Sequence, residues 1–403
     1  MTTSMREIDT FAATQSREAM GKITRLALND ELADDDVAHL ARALAQSGTL
    51  LNLRAHYRTA DIASTGGPSS LSTILCPLYL RAMGYVVPKL GVPGRPAGGV
   101  DVLAQVPGYR VDLTAAEMVK ALDSCGYSHT LAGADLAPLD RRLFAFRKET
   151  GALAVPALVI ASILSKKLAV GIELVGLEVR VCSHGNFGTS WSEARTNARR
   201  FCRIARLLGM TAVCFLTDGS RPYQPYIGRG EALQALALIL DHQAESTLQS
   251  HVRLCHAMAR GLTGAATSAA SEQAPLRRHA QENFAAQGST FEAFVEKARS
   301  LANCPVIRIT ASATGFLIPD LGCLRQCIVE EQQRASVDAV PFPDPCGVVL
   351  NHTTGDLVES GEVLATVRRD KCVPSTFGQR VAASLRIETH PGEIAGYEEV
   401  RYA

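Results

Sequence analysis

Between residues 61 and 216 the sequence alternates between strand-like and helix-like segments. The apolar runs at 174–181 and 211–216 have the composition of buried strands, and a shorter run lies at 85–87. Helical patterns are found at 71–83, 114–125, 136–148, 156–168 and 193–208. Strands that alternate with helices across short connections form a parallel sheet, so this part of the chain predicts an α/β core.

The segments on either side of this core have a different character. Predicted helices precede it at 16–27 and 34–47. The polar residues 1–15 are expected to be disordered, a single helix is predicted over 231–258, and the Ala- and Ser-rich stretch 261–287 gives no clear pattern. From residue 306 onward, short apolar runs separated by Gly and Asp turns predict a β-rich C-terminal part.

Composition narrows the class of protein. The chain has 403 residues, of which 47% are hydrophobic, so it can bury a large core in two or three lobes. Its 41 basic and 40 acidic side chains leave a net charge of +1, which does not favour binding to nucleic acid or to an anionic membrane. No apolar stretch reaches the length of a membrane span, and the start lacks an apolar signal core, so a cytoplasmic protein is predicted.

The eleven cysteines indicate a reducing environment, because most of them lie in apolar runs where free thiols pack as small hydrophobic groups. Cys323 and Cys327 are four residues apart and could share a helix face. No second pair at zinc-ligand spacing accompanies them, so no metal site is predicted.

A loop of small residues, Ser64-Thr65-Gly66-Gly67, precedes the predicted helix at 71–83. Glycines let backbone amides approach a ligand, and the N-terminus of a helix attracts an anion. Such a loop can equally be a tight turn without a ligand, so the motif by itself leaves both interpretations open.

Ser162 and Lys166 lie four residues apart on an otherwise apolar helix face. A hydroxyl and an ammonium there could form a polar site. Alternatively, the lysine could extend along the surface from the end of the helix. Arg147, near the end of the preceding predicted helix, has the same two interpretations.

Several motifs occur in a fixed order along almost the whole chain. They are Ser64–Gly67 (STGG), Gly98–Leu103 (GGVDVL), Val106–Tyr109 (VPGY), Asp135–Asp140 (DLAPLD), Leu143–Arg147 (LFAFR), Ser162–Leu168 (SILSKKL) and Thr217–Asp218 (TD). In order and spacing they resemble the motifs of the pyrimidine nucleoside phosphorylase family, which includes thymidine phosphorylase. The resemblance runs from about residue 16 to 400.

The resemblance implies a nucleoside bound between a small helical lobe and a large α/β lobe, where phosphate attacks the anomeric carbon and releases the base. Phe144, Arg147, Ser162 and Lys166 correspond to the family's base-binding residues, with a tyrosine replaced by Phe144. Arg147 and Lys166 are the implied catalytic cations, because a departing pyrimidine gains negative charge that cationic donors stabilise.

The phosphate site departs from the family pattern. The family's lysine and histidine before S-T-G-G are Ile62 and Ala63 in this chain, and a later serine and threonine are Leu90 and Val100. These side chains can neither carry charge nor donate a proton. Each lost charge-assisted contact removes about 1.5–3 kcal/mol, so phosphate is a doubtful ligand.

The remaining candidates for an anion loop are Ser64, Thr65, Gly66, Gly67, Ser72 and Arg95. Lys89 and His184 could compensate for the lost groups, as could Arg95. Each of these three is alternatively a loop residue that faces solvent.

Three functions therefore remain open. The first is a pentosyltransferase that cleaves the N-glycosidic bond of a pyrimidine nucleoside or deoxynucleoside. The second is a nucleoside-cleaving enzyme that uses water or another acceptor in place of phosphate. The third is a protein that binds a nucleoside or base without catalysis.

The resemblance also predicts the architecture. It implies an α/β fold of the class II nucleoside phosphorylase type, with a helical lobe at 1–58 and 136–170, an α/β lobe at 59–135 and 171–304, and a β-rich α+β subdomain at 305–403. A homodimer formed through the helical lobe is expected. No metal or organic cofactor is implied.

Overall fold

The computed structural model describes residues 2–94, 96–133, 135–265, 275–335, 341–392 and 396–401. In these ranges the helices are α1 (Thr3–Thr14), α2 (Arg17–Leu28), α3 (Asp34–Gln46), α4 (Ser72–Ala82), α5 (Gly99–Leu103), α6 (Ala115–Cys125), α7 (Pro138–Glu149), α8 (Pro156–Ala169), α9 (Trp191–Leu207), α10 (Arg229–Leu240), α11 (Ser246–Thr263), α12 (Leu276–Ala286), α13 (Phe291–Ala302), α14 (Leu321–Arg334) and α15 (Phe377–Ser384). The strands are β1 (Ala60–Ser64), β2 (Val87–Gly91), β3 (Tyr127–Leu131), β4 (Leu174–Val181), β5 (Thr211–Asp218), β6 (Tyr226–Ile227), β7 (Val306–Thr310), β8 (Gly315–Pro319), β9 (Cys346–Leu350), β10 (Leu357–Val358), β11 (Val363–Arg369), β12 (Leu385–Glu388) and β13 (Glu398–Arg401).

A mainly parallel sheet forms the centre of the molecule. Strands β1, β4 and β5 run parallel, and β13 adds to β5 in the antiparallel direction. Strands β2 and β3 form a parallel pair, which a bridge between Thr59 and Val86 links to the start of β1. The order of the strands is therefore β3-β2-β1-β4-β5-β13, and the direction in which the chain adds strands reverses between β1 and β4. The α/β core predicted from the sequence is confirmed.

Helices cover both faces of this sheet. The helical lobe consists of α1–α3, α7 and α8, and it shares one hydrophobic cluster with β4, β5 and α9. Within the lobe, the apolar faces of α3 and α8 pack against each other. A second cluster joins the opposite face of the sheet to α4 and α10–α13. The predicted fold class, a helical lobe beside a larger α/β lobe with a β-rich C-terminal part, is confirmed by this arrangement. The residue boundaries given for the three parts stay a prediction.

The β-rich C-terminal part has its own core. Two antiparallel sheets, β6-β9-β11-β7 and β10-β8-β12, pack with α14 and α15 around a third hydrophobic cluster. The short strand β6 comes from the α/β lobe, so this sheet ties the two parts together.

Two predictions about local structure were wrong. Residues 1–15 are not disordered: α1 begins at a Thr2 cap, whose side chain accepts a hydrogen bond from the Met5 amide, and it buries Ile8 and Phe11. These two residues are three apart and face the helical core, a short pattern that the surrounding polar residues hide. The single helix over 231–258 is two helices, because the chain leaves α10 at Leu240 and turns through His242 at a positive φ of 59°.

The alternative interpretation of Lys89 as a loop residue that faces solvent is wrong, because β2 extends as far as Gly91. Lys89 is therefore a buried strand residue, 4% exposed. Arg95 lies outside the described residues, as does the segment 266–274 within the Ala- and Ser-rich stretch.

Buried ion pairs hold the C-terminal part against α10. Arg368 on β11 donates two hydrogen bonds to the Glu231 carboxylate, at 2.7 and 3.0 Å, and contacts Asp344 at 2.9 Å. Burial raises the pKa of Asp344 to about 7; Arg368 opposes this effect and Glu231 adds to it. Two carboxylates thus share one guanidinium away from water.

This arrangement predicts a pH-dependent stability. The folded-state pKa of Asp344 lies above its ordinary value, so the folded protein binds this proton more tightly than the unfolded chain does. The resulting contribution to the free energy of unfolding is fully present below about pH 4 and is lost as the pH rises through 7. The free energy of unfolding of the wild type, relative to Asp344→Asn, should fall by at most about 1.4 kcal/mol per pH unit. Urea unfolding of both proteins across this range measures the difference, and parallel pH profiles would contradict it.

Candidate functional site

The predicted base-binding residues meet where α7 lies beside α8. Lys166 Nζ lies 2.6 Å from Asp140 Oδ2 and 2.9 Å from Ser162 Oγ, and it also donates to the Ser162 carbonyl. Ser162 and Lys166 share a face of α8 because they are four residues apart. Both are at least 94% buried, so this lysine does not extend along the surface.

Arg147 completes this group from α7. Its guanidinium donates to the carbonyls of Ala152, Leu153 and Leu158, and Leu158 lies one turn before Ser162 on α8. Burial lowers the pKa of Arg147 to about 10, while the carboxylate of Asp140, two turns earlier on α7, opposes this effect. The structure therefore gives Lys166 a direct contact with the Asp140 carboxylate and with Ser162, while Arg147 is held by backbone carbonyls at the start of α8 and in the turn before it.

Phe144 is half-buried and lies three residues before Arg147 on α7, which places the two side chains on the same side of that helix. Asp140 was part of a sequence motif, but no role was predicted for it. Its Oδ1 is buried and has no hydrogen-bond partner among the described residues.

The loop Ser64–Gly67 leaves the carboxyl end of β1 and is fastened to β4. The Thr65 amide donates to the Glu178 carbonyl at 3.0 Å, and the Arg180 amide donates to Thr65 Oγ1 at 3.1 Å. Gly66 and Gly67 have φ values of 92° and 151°. A Cβ at Gly67 would collide with the Arg180 guanidinium, so the loop needs glycine for both conformation and space.

Ser72 lies at the start of α4, as expected for a residue near an anion loop, but its partner is a carboxylate. Ser72 Oγ donates to Glu178 Oε2 at 2.5 Å, and Arg180 donates to the same oxygen at 3.0 Å. Burial acts to raise the pKa of Glu178, but Arg180 and Ser72 outweigh it and the pKa lies below its ordinary value. Glu178 therefore holds its negative charge beside the predicted phosphate serine.

Further polar groups surround this pair at the carboxyl ends of β4 and β5. Tyr223 stacks its ring 5.2 Å from the Arg180 guanidinium and bonds Thr217 Oγ1 at 2.7 Å. Burial raises the pKa of Tyr223, with Glu178 and then Asp218 contributing to the increase. His251 accepts a hydrogen bond from the Leu71 amide at 2.8 Å. We call Glu178, Arg180, Asp218, Tyr223 and His251 the switch-point cluster.

Lys89 takes part in a different ion-pair group, below the loop. It contacts Asp61 Oδ1 at 2.6 Å, and Lys167 contacts the other oxygen of the same carboxylate. The two lysines outweigh the effect of burial and lower the pKa of Asp61 to about 2, whereas burial lowers the pKa of Lys167 to about 8. Lys89 also donates to the Ile62 carbonyl at 2.6 Å, so its ammonium is committed to these partners.

His184 lies in the loop after β4 and is half-buried beside Gly322 at the start of α14. Burial lowers its pKa, and Arg325 adds to that effect. Its position near the C-terminal part separates it from the group around Lys166, which lies in the helical lobe.

The sequence contained a signal for the switch-point cluster. Glu178 and Arg180 are two charged residues on one face of the otherwise apolar strand 174–181. Charged residues inside a buried strand require partners, so this pair could have been identified as part of a site. Tyr223 and His251 carry no such signal, because their positions depend on contacts between distant segments.

A surface cavity of about 720 Å³ lies between α2, the start of α8 and α9, with Arg200 and Arg203 in its lining, and none of the predicted site residues lines it. Among the described residues, no helix combines the length and the apolar character that a membrane span requires. No group of three or more His, Cys, Asp or Glu side chains suited to a metal ion occurs in the described ranges.

Comparison with known proteins gives relatives over most of the chain, although no family model matches it. A pyrimidine-nucleoside phosphorylase of Staphylococcus haemolyticus is 25% identical over 358 residues, covering 85% of this chain and 82% of that protein. A thymidine phosphorylase of Agrobacterium fabrum is 34% identical over 223 residues, covering 54% of this chain and 50% of that protein. The crystal structure of an anthranilate phosphoribosyltransferase from Thermus thermophilus aligns with a TM-score of 0.46 and 14% identity, over 75% of this chain and 99% of that one.

Proposed function

We propose that this chain is a pentosyltransferase that cleaves the N-glycosidic bond of a pyrimidine nucleoside. As its motifs predicted, it is similar to a pyrimidine-nucleoside phosphorylase over most of its length. The observation that supports the proposal is that Lys166 contacts Asp140 and Ser162, while Arg147 bonds the Leu158 carbonyl one turn before Ser162 on the same helix. Two cationic donors and a hydroxyl at one buried place suit a pyrimidine, whose edge carries two carbonyl oxygens and an N–H.

The chemistry requires stabilisation of the departing base. When the bond between the anomeric carbon and the ring nitrogen breaks, its electron pair stays on the base and spreads over the ring oxygens. Arg147 has N–H groups beyond the three that bond backbone carbonyls, and Lys166 would exchange a Ser162 contact for the base. Both cations can then donate hydrogen bonds to the ring oxygens, and such donors are strongest in a site that excludes water. Asp140 would orient the Lys166 ammonium, and the Ser162 hydroxyl would pair with the ring N–H or a carbonyl.

The identity of the acceptor is a second question, and the geometry favours an acceptor other than phosphate. Ile62 is 1% exposed, and Ala63 follows it at the place of the family's lysine and histidine. The Ser72 hydroxyl donates to Glu178, a carboxylate that Arg180 also contacts, so neither Ser72 nor Arg180 is free to hold phosphate. Lys89 is bound to Asp61 and Ile62, so it does not replace the missing cation. Water or a neutral hydroxyl compound is therefore the acceptor that the geometry favours over phosphate.

Release of free base tests both parts of the proposal. We expect the purified protein to release uracil or thymine from uridine or thymidine, and we expect the rate to be the same with and without phosphate. The base is measured by chromatography. A strict requirement for phosphate would show that the acceptor is phosphate and that the anion site is built from other groups. No release of base under either condition would contradict the enzymatic proposal.

The predicted homodimer and cytoplasmic location belong to the same proposal. Leu28 and Leu50, in the helical lobe, are 60% and 50% exposed. Sedimentation velocity of the full chain measures its oligomeric state.

A further inference from the structure

The reversal of strand order between β1 and β4 is the place in an open α/β sheet where a ligand is expected. At such a point the connections leave β1 and β4 in opposite directions, and a crevice opens outside their carboxyl ends. The Ser64–Gly67 loop follows β1 here, and the side chains of Glu178 and Arg180 come from the last part of β4. The switch-point cluster therefore occupies the position that the topology assigns to a ligand.

The members of this cluster lie within electrostatic range of one another. The charges of Glu178, Arg180 and Asp218 all affect the pKa of Tyr223. Burial lowers the pKa of His251 to about 4, and Glu178 and Arg180 affect this pKa as well. Arg180 packs its Cβ against Gly219, the residue next to Asp218. Asp218 and Tyr223 are partly exposed, whereas the other three members are at least 96% buried, so the cluster opens to solvent on one side.

Four polar atoms of the cluster are left without a hydrogen-bond partner among the described residues. Two are acceptors, Glu178 Oε1 and Asp218 Oδ2, and one is a donor, the Arg180 Nε–H. The fourth is His251 Nδ1. Because His251 Nε2 accepts a hydrogen bond and its ring is neutral at pH 7, Nδ1 carries the proton and is also a donor. Buried polar atoms without partners are rare in proteins, so each of these four takes its partner from ordered water or from a bound group.

The kind of group follows from the two donors and two acceptors. Phosphate at neutral pH offers mostly acceptors and would face the two carboxylates of Glu178 and Asp218 against the single cation of Arg180. A cation would satisfy the carboxylates and would repel Arg180. A hydroxyl group both donates and accepts, so neighbouring hydroxyls satisfy all four atoms.

We propose that the switch-point cluster is a subsite for the hydroxyl groups of a pentose, with Glu178 and Asp218 accepting from them and Arg180 and His251 donating to them. The inference rests on the proposed function, because it supplies the sugar subsite of the same nucleoside. It gives Glu178, Arg180, Asp218 and His251 a role in recognising the sugar, separate from the base-binding group on α7 and α8.

Calorimetric titration with pseudouridine, whose carbon–carbon glycosidic bond is not cleaved, and with uracil separates the two subsites. We expect pseudouridine to bind the wild type at least about tenfold more tightly than uracil. Asp218→Asn should reduce that ratio by about tenfold while leaving the dissociation constant of uracil unchanged. Glu178→Gln should act in the same direction, and its circular dichroism spectrum reports whether the protein remains folded. Asp112→Asn, a change of the same kind at an exposed carboxylate, should leave the ratio unchanged.

The outcomes distinguish this inference from the proposed function. If both ligands bind and Asp218→Asn and Glu178→Gln leave the ratio unchanged, the cluster holds ordered water only and the inference is wrong, although the base site stands. If uracil does not bind but D-ribose binds and depends on Asp218, the sugar subsite stands without the proposed base site. Millimolar binding of inorganic phosphate that is lost in Arg180→Gln would identify an anion site and overturn the inference.

Discussion

Lys166→Met is expected to lower kcat/KM for a pyrimidine nucleoside by about two to three orders of magnitude, the effect of removing one donor from a preorganised electrostatic site. The ammonium has Asp140 and the Ser162 hydroxyl as partners, at 2.6 and 2.9 Å, so its position is fixed before substrate arrives. Methionine fills a similar volume and provides no charge. Steady-state release of base measures the loss.

Part of that effect could reflect damage to the fold, because the substitution leaves the buried Asp140 carboxylate without its cation, at a cost of about 3–5 kcal/mol. The double variant Asp140→Asn with Lys166→Met removes both charges and should recover most of the stability. It should not recover activity. Lys148→Met, at an exposed position on α7, is the matched control and should leave both quantities unchanged. If the double variant regained wild-type activity, Lys166 would be a structural residue only.

Asp61→Asn is expected to produce the largest loss of stability, about 3–5 kcal/mol, because it leaves two buried ammonium groups without a counter-charge. Lys89 and Lys167 approach opposite oxygens of this carboxylate, and all three side chains are at least 96% buried. The contact between Lys167 and Asp61 also joins α8 to β1, the first strand of the sheet. Urea unfolding at neutral pH measures the change, and adding Lys89→Met should restore part of the loss.

The same carboxylate predicts a response to acid. The folded-state pKa of Asp61 is about 2, below its ordinary value of 3.8, so its contribution to stability is present above pH 3.8 and is lost as the pH falls through 2. The wild type should therefore lose more stability than Asp61→Asn on acidification over this range. Asp112→Asn, at an exposed carboxylate, should follow the wild type. An Asp61→Asn variant as stable as wild type at neutral pH would show that the lysines are neutral without their partner.

The core of the fold could be predicted from the sequence because local patterns determine it. Each element shows its hydrophobic pattern within its own few residues, as in the apolar strands at 174–181 and 211–216 and the helices between residues 61 and 216. The helix α1 was missed because only Ile8 and Phe11 mark its buried face. The end of α10 was missed because His242 adopts a positive φ without a glycine to signal it.

The candidate site likewise contains some residues that a local sequence pattern reveals and others that only the folded structure reveals. Arg147, Ser162 and Lys166 were recognised because their spacing along two consecutive helices matches a known motif, and helix geometry then brings them together. The partner that orients Lys166, Asp140, has no sequence signal beyond its motif. His251 lies on α11 and reaches the start of α4 across the fold, a contact between segments about 180 residues apart that no local pattern encodes.

The strand β13 has a consequence for how the protein is made. It pairs with β5, and the entire β-rich C-terminal part lies between these two strands in the chain. During synthesis the edge of β5 therefore stays open until the ribosome has released residues 398–401, and an open strand edge is prone to pair with other chains.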